Sequence, residues 1–76
     1  MRELSEKALT ALREGFPRGC RVELVRMNDP YEPRLVPGCK GTVTAVDDIG
    51  TIHVSWDCGS GLGVVYGEDL CRRIEE

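Results

Sequence analysis

The amino-acid sequence predicts a mainly β fold, a small five-stranded barrel preceded by one N-terminal α-helix, and three features carry that expectation. One amphipathic stretch opens the chain, the remaining sixty or so residues break into short β-branched runs, and Gly, Pro and Asp separate those runs. With 76 residues the chain has room for a single domain, 1–76, since about half that length seldom closes a core of its own.

Residues 4–14 read as the helix. Leu4, Ala8, Ala11 and Leu12 recur at helical spacing with charged residues between them, Gly15 supplies a stop and Pro17 prevents resumption. About ten residues are marginal as an isolated helix, so the apolar stripe is expected to dock through Leu4, Ala8 and Leu12. The barrel is assigned to residues 20–74. Its first strand, Arg21 to Met27, sets Val22 and Leu24 against Arg21 and Glu23, and its second, Gly41 to Val46, is rich in Thr and Val. The third is the clearest, because Ile52, Val54 and Trp56 alternate strictly with Thr51, His53 and Ser55. This alternation assigns Trp56 to the core and His53 to the wet face. Leu62 to Tyr66 forms the fourth strand, and Leu70 to Ile74 the fifth, with Leu70, Arg72 and Ile74 on one side.

A long loop from Asn28 to Cys39 follows the first strand, hairpins join strands two to four, and a single turn precedes the fifth. That order of connections belongs to an SH3-like barrel, which curls to bury an apolar face that a flat sheet leaves exposed.

Composition narrows the function classes. No window approaches the ~18 apolar residues of a membrane span, and Arg2, Glu3, Glu6 and Lys7 stand where a signal peptide would need an apolar run, so a cytoplasmic protein is expected. The net charge of −3 opposes sequence-blind nucleic-acid binding. Cys20, Cys39, Cys58 and Cys71 lack the C-x-x-C spacing of structural zinc sites, and they are expected to be small, half-buried, reduced thiols with no metal and no cofactor. His53 is the single histidine, without a nucleophile and base set around it, and an enzyme is not expected. Gly59, Gly61 and Gly63 lie between strands and lack the following helix of a phosphate loop.

Two surfaces remain as candidate sites. The long first loop, the second-strand hairpin and the turn before strand five converge on one side of an SH3-like barrel, which gathers Tyr31, Asp47, Asp48, Tyr66, Glu68 and Asp69 into a surface suited to a basic or Pro-containing peptide. Each Asp also has a purely local role, capping turn N–H groups. The alternative is a nucleic-acid patch of Arg18, Arg21, Arg72 and Arg73, which Glu68, Asp69, Glu75 and Glu76 oppose. Oligomeric state is open, since a strand edge or the helix stripe equally makes a dimer.

The run from Gly41 to Ser60, with Arg21-Val22-Glu23-Leu24 before it and Val65-Tyr66-Gly67-Glu68-Asp69 after it, resembles the bacterial and phage family catalogued as domain of unknown function 4314. The resemblance extends over nearly the whole chain, including Phe16-Pro17-Arg18-Gly19. It implies a setting in Gram-positive bacteria and their mobile elements, and no particular activity. Cys20 and Cys39 stand where that pattern is expected to carry Thr, and Cys58 where it is expected to carry Asn. Val54, Trp56, Asp57, Gly59 and Tyr66 show a more distant similarity to the Mind bomb and Herc repeat, an SH3-like module of eukaryotic ubiquitin ligases, which implies protein recognition.

Overall fold

A computed structural model describes residues 4–28 and 32–75. Helix α1 spans Glu6–Gly15, and five strands follow: β1 (Arg21–Arg26), β2 (Lys40–Val46), β3 (Thr51–Trp56), β4 (Val64–Val65) and β5 (Leu70–Ile74). They form one antiparallel sheet in the order β4-β3-β2-β1-β5, with α1 ahead of it. The protein is thus mainly β with one N-terminal helix. No ladder joins β4 to β5 among the described residues, so the sheet is open between them.

The helix runs from Glu6 to Gly15, later at its start than the 4–14 read from the apolar pattern. Ser5 caps it, its hydroxyl accepting the Ala8 N–H at 3.1 Å, which leaves Leu4 just outside. No residue of α1 is fully buried. Leu12 and the C-cap residue Phe16 are half-buried against the core, Ala8 is half-buried, and Ala11, which shares their helical spacing but is not among the expected docking residues, faces solvent. The Phe16 N–H returns to the Leu12 carbonyl and closes the last turn.

The core is a layer of aliphatic, mostly β-branched residues closed by one indole. Val22, Leu24, Val43, Ile52 and Val54 are buried, and Trp56, 3% exposed, lies with them as its alternation requires. Its indole N–H donates to the Leu62 carbonyl at 2.8 Å. That bond helps explain the shortness of β4. The Leu62 N–H is taken by the Ser60 hydroxyl, and both backbone groups of Val65 are engaged with the following turn. Backbone groups used in this way cannot extend a ladder, and the five-residue strand expected from Leu62 to Tyr66 contracts to Val64 and Val65.

In β5 the inward side is opposite to the one the sequence suggests. Leu24 lies directly opposite Cys71, and residues paired across an antiparallel ladder share a face, so Cys71 is buried beside Leu24. Leu70 is left 49% exposed. Val25 alternates with Leu24 and lies outside, and the register between β1 and β5 shifts between Leu24 and Arg26, a bulge at the end of that pairing. The long loop contributes Leu35 to the core; turns at Leu35 N–H to Glu32 O and Cys39 N–H to Val36 O fold it back.

Candidate functional site

The turn between β2 and β3 is built on Asp47. One carboxylate oxygen accepts the N–H groups of Ile49 (3.2 Å) and Thr51 (2.8 Å), and the other lies 2.9 Å from His53 Nε2. Partial burial pushes this carboxyl up, but the Thr51 N–H, the His53 ring and the Ile49 N–H outweigh it and hold the group below its ordinary range. Asp47 therefore serves the turn. Asp48 is different: its side chain is 93% exposed and meets Arg13 of α1 at 2.6 Å. Ile49 and Gly50 complete the turn, with Gly50 at φ +84°, a left-handed conformation that a side chain would strain.

The turn between β4 and β5 is built on Asp69. Its carboxylate accepts the Val65 N–H at 3.0 Å and the Asn28 N–H at 2.9 Å, while the Asn28 amide donates to the Glu68 carbonyl. This clamp ties the turn to the end of β1. Replacing Asp69 with Ala should cost about 1–2 kcal/mol, because two N–H groups lose a charged acceptor. Asp48→Ala should cost under about 0.5 kcal/mol, as an exposed pair is worth little. Urea midpoints of the two variants measure the contrast, and a loss at Asp69 as small as that at Asp48 would show that the clamp adds nothing beyond a surface charge.

Between these turns lies a groove of about 660 Å³, lined by Leu4, Asp48, Ile49, Val65, Tyr66 and Glu68. Tyr66 and Gly67 also border a smaller cavity of about 250 Å³ lined by Leu12 and Phe16. Ile49 is 78% exposed, and Val65 and Tyr66 are each 41% exposed. Three of the six loop-side residues singled out from the sequence, Asp48, Tyr66 and Glu68, thus line one groove. Asp47 and Asp69 do not line it but hold its two turns through backbone hydrogen bonds, and Tyr31 lies outside the described residues. Leu4, Ile49 and Val65 escaped sequence reasoning, although an isoleucine set among turn residues at Asp47-Asp48-Ile49-Gly50 was a visible signal.

The arginine patch is largely neutralised. Arg21 grips Asp57 through two bonds of 3.0 and 2.6 Å and also donates to Thr42, and its guanidinium holds the Asp57 carboxyl below the usual range. Arg72 pairs with Glu23 directly across the β1–β5 ladder. Arg73 borders a shallow polar groove that also contains Glu23 and Glu75, and Arg18 is exposed ahead of β1.

The family described as Domain of unknown function (DUF4314) matches residues 5–74. The chain belongs to that family. No curated protein and no solved structure matches it. Several of the residues that carry the DUF4314 resemblance do structural work: Trp56 fills the core, Asp57 anchors Arg21, and Gly59 takes φ +99° in the turn after β3.

Among the described residues, no three His, Cys, Asp or Glu side chains gather as a metal-binding set, and the Thr44 hydroxyl reaches His53 at its backbone carbonyl and not at its ring. The thiols are free and differ more than expected. Cys20 and Cys39 are half-buried, whereas Cys58 is exposed and Cys71 is buried, because the first sits in a turn and the second faces Leu24. Burial, then the neighbouring Cys20, pushes the Cys71 thiol from an ordinary 9.0 up to about 11. Between those values the unfolded chain loses a proton that the folded chain keeps, so this thiol makes stability fall as pH rises from about 9 to about 11. Denaturation midpoints across that range should drop in the parent and drop less in Cys71→Ala. Parallel curves would remove Cys71 as the source.

Proposed function

We propose that the chain is a non-enzymatic protein-binding module that works in the cytoplasm, and that its docking surface is the groove walled by Asp48, Ile49, Val65, Tyr66 and Glu68. One observation carries the reading: Ile49, Val65 and Tyr66, three of the large apolar side chains exposed on this small domain, line a single concavity with two carboxylates at its margin. Scattered apolar residues need no explanation, but clustered ones of this kind favour a partner that covers them. Tyr66 supplies flat area at small entropic cost, and Asp48 and Glu68 favour a partner that is positively charged around an apolar anchor. No helix among the described residues is long and apolar enough to cross a membrane. Free thiols suit a reducing compartment.

The test is capture of partners from the native cell with and without nuclease, repeated with Tyr66→Ala and with Ile49→Asp. Tyr66→Ala should weaken capture by more than ~1 kcal/mol, about fivefold, while leaving the denaturation midpoint nearly unchanged. Capture that is abolished by nuclease, or that depends on Arg18 and Arg73 instead of Tyr66, would replace this reading with nucleic-acid binding.

A further inference from the structure

We propose that α1 with the leucine ahead of it is the internal ligand of the groove, and that an external partner docks by displacing Leu4 and Arg13 with an apolar side chain and a cation of its own. The inference rests on the groove being the docking surface, and adds what its occupant must look like and what it competes with.

Leu4 reaches the groove from the N-terminal side and lies on the β2–β3 turn. A Cβ placed on Gly50 would stand 2.5 Å from Leu4 Cδ2 and 3.3 Å from Tyr66 Cβ, so glycine at this position lets the leucine seat against backbone beside the Tyr66 side chain. Arg13, near the end of the helix, reaches the same turn from above. Its Nη2 lies 2.6 Å from the Asp48 carboxylate, and its Nε donates to the Val46 carbonyl at 3.4 Å. One apolar group on the floor and one cation at the rim are thus already supplied by the chain itself.

Those contacts are built to be exchanged. The Arg13–Asp48 pair is open to water, with side-chain exposures of 45% and 93%, where such pairs contribute little. No residue of α1 is fully buried, and a ten-residue helix gains little stability from its own hydrogen bonds. On the far rim, the Glu68 carboxylate has no hydrogen bond or ion pair among the described residues, so the internal ligand leaves one rim charge unanswered. A partner with a leucine-like anchor and two cations satisfies both carboxylates, where α1 satisfies one. Because α1 is tethered, it competes at high effective concentration, and loosening it should raise the apparent affinity for any external segment of the same chemistry.

The probe is a synthetic peptide with the sequence of residues 1–16, titrated into the isotope-labelled full-length chain and followed by amide shifts of Gly50, Tyr66 and Gly67. The Leu4→Ala/Arg13→Ala chain should bind it about tenfold more tightly than the unaltered chain. A peptide carrying Arg13→Glu should lose that gain, and Asp48→Lys added to the chain should restore it. If the double variant fails to keep its sheet, Arg13→Ala alone should still give a gain of about threefold. Equal affinity for altered and unaltered chains, absence of binding to both, or binding that shifts other amides overturns the internal-ligand proposal. Such a failure beside loss of partner capture in Tyr66→Ala removes this inference and leaves the groove as the docking surface.

Discussion

Replacing Trp56 with Ala should destabilise the chain by about 3–5 kcal/mol, which for a domain of this size is most of its folding free energy. The indole is 3% exposed and faces Val22, Val43 and Val54 from the last position of β3, so its removal opens a large void among stiff side chains that have few rotamers with which to refill it. A second loss comes from its N–H, which holds the Leu62 carbonyl at 2.8 Å and thereby the path of the chain into β4. Trp56→Phe separates the two terms. It keeps an aromatic ring in the core and should cost about 2 kcal/mol less than the alanine change, with the residual deficit reflecting the lost hydrogen bond and the smaller ring. Urea denaturation followed by far-ultraviolet dichroism measures both. A Trp56→Ala loss below about 1 kcal/mol would mean that the β3 register is not the one described.

The second large effect is expected at Gly41, where the position is crowded and not merely flexible. A Cβ there would stand 2.6 Å from Val54 Cγ1 and 2.9 Å from both the Ser55 carbonyl oxygen and Trp56 Cε3. Val54 and Trp56 are core residues and Ser55 O is ladder backbone, held where Gly41 lies opposite Trp56. Relief therefore requires moving β2 away from β3, and Gly41→Val should cost about 3 kcal/mol. The control is Gly61→Ala, where nothing lies within 4 Å of the added methyl and stability should change by less than about 0.5 kcal/mol. If both substitutions are neutral, the close β2–β3 approach is wrong; if both are equally harmful, the effect is general to glycine in this chain and not steric.

Neither change touches the groove. The variants there, Tyr66→Ala and Ile49→Asp, lie on turns that Asp47 and Asp69 brace through backbone hydrogen bonds, so binding and folding are separable at this surface. Asp47→Ala, by contrast, would release the turn that carries Asp48 and Ile49 and should affect both.

Much of this architecture was legible in the residues. The alternation of Ile52, Val54 and Trp56 named the core face of β3 because the pleat has a period of two and no neighbour is needed to read it. Residues separated by turn chemistry, as at Asp47 to Gly50 and Gly67 to Asp69, marked the hairpins for the same local reason. The helix, the five strands and the β2–β3–β4 neighbours follow from such short-range preferences and short connections, whereas the β1–β5 pairing joins segments from opposite ends of the sheet-forming region.

What the tertiary structure alone decided is how shared polar groups and faces are allotted. Asp47, Asp48 and Asp69 are the same residue type in similar turns, yet one supports its own turn, one meets Arg13 and one clamps Asn28, partners that lie 35 and 41 residues away in the last two cases. Cys71 turned inward and Leu70 outward because of the register against Leu24, a long-range choice that a five-residue run with weak alternation does not encode. The β4 strand shortened because an indole 6 residues earlier took its first carbonyl. In each case a hydrogen-bonding group or a strand face has two locally acceptable partners, and only the packed neighbour, brought in by chain closure, makes one of them lower in free energy.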